Sequence, residues 1–167
     1  AIERQADSVA SVSLTLGEGG GPASTSARIR YSGERTKQLT IMGTTGNYPD
    51  VFPIELELGR FFTEAEVSHR RRVVVLGQTP YLALFPNIDP IGKTVRIRNQ
   101  PYTVVGVMGP RPSPAGLNAG QDDIAIVPHT AYQKQFGIRV IRPLRGRFQA
   151  VLIAAIPRNG VPREEAM

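Results

Sequence analysis

Residues 58–80 read LGRFFTEAEVSHRRRVVVLGQTP. Three signals stand in succession here. Thr63 and Glu66 are three apart just before Val67, the pattern of a capping box: the hydroxyl accepts the amide of Glu66 and the carboxylate reaches back. Phe62 and Val67 flank that box at the positions of a hydrophobic staple, so a short helix is expected from Glu64. Val73, Val74, Val75 and Leu76 then form a run with no polar position among them. A β-branched run without alternation is a strand covered on both faces, which makes it central. After Gly77, Thr79 and Pro80 predict a second short helix, with Thr79 as cap, Pro80 at the first helical position and Pro86 closing it.

Working outward, Glu55 and Glu57 alternate with Ile54, Leu56 and Leu58, a strand with one wet face. Residues 48–52 read as a short helical turn. Residues 27–31 and 38–43 read as two strands joined by a turn over 32–36. Residues 9–16 alternate Val9, Val12, Leu14 and Leu16 with small polar residues, another half-buried strand. The Gly/Ser-rich stretch 17–26 is a loop, and residues 1–6 read as the last turns of a helix. On the other side, Asp89-Pro90-Ile91-Gly92 fits a type I turn. Residues 94–98 and 102–108 form a hairpin around 99–101. A Pro/Gly-rich loop covers 109–120, then a strand 124–127. Thr130 and Gln133 suggest a second capping box, with Gly137 ending that helix. Residues 149–156 form a strand that can pair with 9–16, and Pro162 opens a last helix. Both chain ends thus read as helices that continue. The fold class is α+β.

The 41% hydrophobic and 20% charged residues of this 167-residue chain suffice for a core in one domain or two small lobes. Its 17 Gly and 14 Pro favour turns over long helical bundles. The lack of cysteine excludes a disulfide framework, a thiolate metal site and a cysteine nucleophile. No segment approaches the ~20 apolar residues of a spanning helix. The net charge of +6 suits an acidic partner, nucleic acid or acidic lipid, and equally suits solubility.

Tests for chemistry fail one by one. A dinucleotide fingerprint starting at Gly17 needs glycine where Pro22 stands and a helix after it, whereas residues 24–31 are strand-like. His69 and His129 are the sole histidines, too few for zinc. No Gly-x-Ser-x-Gly elbow is present. Asp122 and Asp123 lack the oxygen-rich loop of a calcium site. Glu55/Glu57 and Glu64/Glu66 are explained by strand alternation and helix capping. Two stretches are basic: Arg70 to Arg72, and Arg139, Arg142, Arg145 and Arg147 beside Phe148. No RNA- or DNA-binding signature accompanies them. No catalytic, cofactor or metal residue is assigned, and binding residues are left unassigned.

From Tyr48 onward the chain resembles MacB-like periplasmic core domains of ABC transporter permeases. The residues that carry the resemblance are Tyr48-Pro49-Asp50-Val51-Phe52, Leu58-Gly59-Arg60-Phe61-Phe62-Thr63 and Val73-Val74-Val75-Leu76-Gly77. Leu84-Phe85, then Asp89-Pro90-Ile91-Gly92-Lys93-Thr94-Val95-Arg96-Ile97, and the strand of residues 102–107 come next in the family's order. Residues 122–137 resemble its later strand and helix. The resemblance implies a two-lobed domain lying between membrane helices. Residues 1–57 and 129–167 would form a porter-like lobe and 58–128 an inserted sabre-like lobe, with a hinge near Leu58 and Pro128. It implies no enzyme activity and no cofactor in this part. The partners would be a cytoplasmic ATPase domain or subunit reached through the membrane helices, a periplasmic adaptor, and a second permease copy, without nucleic acid. The location would be the inner membrane, with this domain facing the periplasm. Its role would be to pass ATP-driven motion to substrate export or to a partner. The alternative class is a basic ligand- or nucleic-acid-binding module.

Overall fold

Val73–Leu76 (β7) is buried at all four positions. Val74 and Leu76 enter one core cluster, Val73 and Val75 another, so the strand separates two apolar layers. The absence of a polar side chain in this run is thereby explained. The structure is a computed structural model and describes residues 9–17, 25–111, 121–137, 140–141, 148–149 and 151–157. The expected helices over 1–6 and from Pro162 lie outside the described residues, as do most of the two loops and nearly all of the 139–147 stretch.

The strands are β1 (Val9–Leu16), β2 (Thr25–Ala27), β3 (Ile29–Tyr31), β4 (Glu34–Arg35), β5 (Leu39–Thr44), β6 (Leu56–Gly59), β7, β8 (Thr94–Ile97), β9 (Gln100–Met108), β10 (Ile124–Pro128), β11 (Val140–Ile141), β12 (Phe148–Gln149) and β13 (Val151–Pro157). The helices are α1 (Tyr48–Val51), α2 (Glu64–Ser68), α3 (Gln78–Leu84) and α4 (His129–Phe136). This mixed sheet with short helices is the expected α+β class.

The sheet closes on itself. β5 pairs in parallel with β10, β10 antiparallel with β7, β7 in parallel with β9, and β9 antiparallel with β8. β8 then pairs with β3 through Ile29↔Ile97 and Arg30↔Arg96. β3 is separated from β2 by Arg28 alone, and β2 pairs back to β5. The bent segment 25–31 is therefore the piece that shuts the ring. Inside it lie Ala27, Ile29, Leu39, Ile41, Val74, Leu76, Val95, Ile97, Tyr102, Val104, Ala125 and Val127. Leu84 and Phe85 of the α3 end and Ala131 and Tyr132 of α4 join the same cluster. Tyr132 is fixed by a 2.5 Å hydrogen bond between its hydroxyl and Thr25 Oγ1. Outside the ring, Tyr48, Phe62 and Val67 cover Met42, Val75, Val105 and Ile126.

β1 and β13 run antiparallel from Val9↔Pro157 to Leu16↔Val151, the pairing expected for these two segments. Only Thr15↔Thr44 and Leu16↔Gly43 join this ribbon to β5. The ribbon also packs against α1 and α4, and Ser13 is fully buried. The chain enters β1 and leaves β13 at the same end.

Several local expectations hold. Thr63 Oγ1 accepts from the Glu66 amide at 3.2 Å, and the Thr63 amide donates to Glu66 at 2.9 Å, completing the capping box. The expected β8–β9 hairpin is present, but its turn is Arg98 and Asn99 rather than 99–101, both at positive φ as a two-residue type I′ loop requires. Other expectations are corrected. Residues 27–31 and 38–43 do not form one hairpin: β3 turns through Ser32 and Gly33 into β4, and β5 pairs instead with β2. α3 starts at Gln78 behind Gly77, and the Thr79 hydroxyl donates to Asp123 at 2.6 Å. α4 starts at His129 behind Pro128, and the Thr130 hydroxyl donates to the Val67 carbonyl at 2.6 Å. In both cases a tertiary partner outcompetes the local cap. The turn near Asp89 is shifted by one residue, with Lys93 N donating to Pro90 O and Gly92 at φ 81°.

The expected boundaries at Leu58 and Pro128 do not divide the core of the described residues. β10 lies between β5 and β7, and β8 pairs with β3, so 58–128 is built into the same ring as 25–44. Both core clusters draw on both segments. Within 58–128, β7, β8, β9 and β6 also pair among themselves.

β6 crosses β9 at a close backbone approach. A Cβ on Gly106 would lie 2.2 Å from the Arg60 carbonyl oxygen. Gly106→Ala is therefore expected to lower unfolding free energy by about 1–3 kcal/mol, the range of an overpacked core. Leu82→Ala, at a side chain 62% exposed, is the control that changes little in the same urea titration.

Candidate functional site

The residues that sequence alone offers for chemistry are dispersed and structurally employed. His69 caps the C-terminus of α2, is exposed, and its Nδ1 lies 2.7 Å from Ala65 O. His129 opens α4. Burial pushes its pKa down against the opposing pull of Glu64. Glu57 accepts from Gln78, and Asp122 accepts from the Arg111 amide at 3.1 Å. Burial works against ionisation of Asp123, but Lys37 at 2.5 Å and Thr79 outweigh it and hold that carboxyl below its ordinary value. Among the described residues, no group of three or more His, Asp or Glu side chains could hold a metal ion.

The Gly59-Arg60-Phe61-Phe62-Thr63 stretch has a compact physical explanation. Gly59 takes φ 67°, a conformation that glycine adopts without strain, beneath the Val105 carbonyl. Arg60 donates its amide to that carbonyl at 2.9 Å. Its guanidinium grips Glu66 with two 2.9 Å bonds. Phe61 stacks near Tyr48, with ring centroids 6.0 Å apart, and Phe62 is 2% exposed. Thr63 then caps α2. Each residue of the stretch sets the position of α2 over the ring.

From α2 a polar chain leads to the ribbon. Glu64 accepts from the Asn47 amide at 3.1 Å, and Thr45 Oγ1 donates to Asn47 Oδ1 at 2.6 Å. Thr45 Oγ1 also accepts the Leu14 amide at 3.3 Å and lies 3.0 Å from Ser13 Oγ. The Thr45 amide donates to the Leu14 carbonyl at 3.2 Å. Residues 45–47 thus tie the root of β1 to the N-terminus of α2. This junction is the candidate functional site: it sits where the two chain-terminal strands meet the body. Beside it, a groove of about 440 Å³ is lined by Tyr48, Phe52, Ile54, Glu55, Met108 and Arg111, among others.

Arg70, Arg71 and Arg72 are all exposed, as the sequence suggests. The side chains of the second basic stretch lie outside the described residues. A different basic feature escapes a linear reading. Arg28-Ile29-Arg30 and Arg96-Ile97-Arg98 are the same triplet twice, and the fold sets them side by side. The repeated triplet, with isoleucine inward and arginines outward, is the signal that could have found it.

The described residues thus form a closed mixed sheet whose β1 and β13 are paired antiparallel. Comparison with known proteins gives its class: an extracytoplasmic domain of an ABC transporter permease. The chain belongs to the MacB-like periplasmic core domain family, whose profile matches residues 1–167. It is 39% identical over 107 residues to the macrolide export ATP-binding/permease protein MacB of Azoarcus sp. strain BH72, a match that covers 63% of this chain and 16% of that protein. The MacB of Neisseria gonorrhoeae is 42% identical over 76 residues, 44% of this chain and 12% of the relative. The chain thus spans a small fraction of these relatives. The periplasmic region of MacB from Actinobacillus actinomycetemcomitans superposes with a TM-score of 0.75 at 22% identity, over 99% of this chain and 65% of that one. The extracellular domain of the transporter YknZ from Gram-positive bacteria gives 0.69 at 20% identity, over 94% and 70%. These structures share the fold.

The Arg60–Glu66 pair has a readable acid signature. The Arg60 hydrogen bonds, aided by the Thr63 amide and opposed by partial burial, hold the Glu66 carboxyl at about 2, below its ordinary 4.5. A depressed carboxyl pKa stabilises fully above the unfolded value and loses that contribution as pH falls through the folded one. Stability from this pair is therefore present at pH 5 and lost between pH 4.5 and 2. Arg60 is half-exposed, so screening limits the contribution to about 1 kcal/mol. Urea unfolding of wild type and Arg60→Met should differ by that amount at pH 5 and converge near pH 2.

Proposed function

We propose that this domain passes ATP-driven movement of membrane helices to the periplasmic side, where it acts on an exported substrate or a partner protein. The observation that carries the reading is the β1–β13 ribbon. Its two strands pair along seven register positions, enter and leave at one end, and meet the body at β5, α1 and α4. A displacement applied to both strands together arrives at Thr45 and Asn47, and from there at α2. Arg60 and Phe62 fix α2 to the ring, so the body moves as a unit.

In this reading ATP is bound and hydrolysed by a cytoplasmic domain or subunit. The domain itself holds no nucleotide and turns over no substrate. A periplasmic adaptor and a second permease copy are the partners that transport would require. The name of the relatives supports export of a macrolide-like compound as the first substrate to try.

Two measurements test this. The purified chain should show no ATP hydrolysis above blank after repurification. In the whole permease, flexible Gly-Ser insertions before Val9 and after Pro157 should abolish transport while ATP hydrolysis persists. Thr45→Val, which removes the hydroxyl bonds at the root, should lower transport per ATP hydrolysed. Transport at the wild-type ratio in the insertion variant would overturn the reading.

A further inference from the structure

The outward faces of β5, β10, β7 and β9 lie under the second apolar layer, whereas that of β2, β3 and β8 carries no described element. Ser26, Arg28, Arg30, Thr94, Arg96 and Arg98 are all exposed there. Arg30 stands directly across the ladder from Arg96 on one side and from Arg35 on the other. Like charges opposed across strands destabilise a sheet. Here three arginines in adjacent strands form one row, while Ile29 and Ile97 beneath them are 0% exposed. Among the described residues the ion pairs are Lys37–Asp123 and Arg60–Glu66, and neither relieves the row.

The side chains converge. Arg28, Arg30, Arg96 and Arg98 line one concavity of about 240 Å³ with Ser26 and Asn99, and among the described residues no acidic side chain lines it. Two of the four are oriented from below. Arg98 Nη2 donates to Ser26 O at 2.9 Å, with its guanidinium 5.0 Å from the Phe136 ring centroid. Arg96 Nη1 donates to Asn99 O at 3.2 Å. Each guanidinium has five donors, so most of each fork faces outward unspent.

We propose that this face docks an extended, carboxylate-rich segment of a partner protein. Planar guanidinium forks match carboxylates in pairs. Arginines two apart on one strand are about 6.8 Å apart, which is the spacing of carboxylates at alternate positions of an extended segment. Guanidinium forks also take phosphate, but the regular strand spacing of these arginines matches an extended chain of carboxylates. The inference needs the ring alone and is independent of whether the ribbon transmits motion.

Fluorescence anisotropy with a labelled alternating Glu-Ser peptide and the 167-residue chain tests it. Saturable binding that weakens with added salt is expected. Arg30→Gln with Arg96→Gln should weaken it at least about tenfold through loss of two charge-assisted forks. The thermal midpoint of that variant should stay level or rise, because opposed charges are removed. Arg70→Gln with Arg71→Gln removes the same charge elsewhere and should leave affinity within about twofold, as for a distant surface change. Absence of saturable binding, or equal losses in the two double variants, overturns the proposal. So does competition by pyrophosphate or phosphatidylglycerol vesicles that matches the Glu-Ser peptide at equal charge, which would assign the face to phosphate groups.

Discussion

The constraint on which this fold depends is that its middle strands must be dry on both sides. Val73 to Leu76 has no polar side chain to offer water, and fully burying each such residue is worth about 1.5–3 kcal/mol. One face is satisfied by rolling the sheet into a ring, so that Val74 and Leu76 meet Ile41, Val95 and Ala125 across its interior. The other face is satisfied by laying a second layer outside, where Phe62 and Val67 meet Val73 and Val75. The remaining features serve one or other requirement.

The second layer must be held in place by polar contacts, since α2 has only five residues and too few turns to be stable alone. Arg60, Thr63 and Glu66 supply that hold within seven positions of sequence. The same short helix receives the Asn47–Glu64 link to β1 and the Thr130–Val67 link to α4. α2 is therefore the point at which the ring, the outer layer and the ribbon root are mechanically joined.

Much of this was legible because it is local. The capping box at Thr63, the staple at Phe62 and Val67, the dry strand at Val73 and the existence of the 94–108 hairpin rest on residues a few positions apart. The pairing of residues 9–16 with the last strand was legible from length and alternation. The features that escaped were set by distant partners. Thr79 and Thr130 carry capping chemistry, yet Asp123 and the Val67 carbonyl claim their hydroxyls. Closure of the ring rests on Ile29 meeting Ile97, a register that no local pattern announces. The arginine face was missed because each Arg-Ile-Arg triplet is ordinary alone and unusual only beside its twin.

The geometry of the ribbon makes its strength depend on the direction of force. Ladder bonds pulled apart sideways from one end break one after another, as a zipper opens, and little force is needed at each step. Traction along the strands instead engages all the bonds of the root at once, in shear. Because β1 and β13 leave the ring side by side, two helices moving in concert would apply the second kind of traction, and two helices separating would apply the first. By this geometry a joint axial pull would be resisted by the whole ladder, and a divergent pull would open it from its Val9–Pro157 end. Joint and divergent pulls on the two strands would therefore load different sets of bonds.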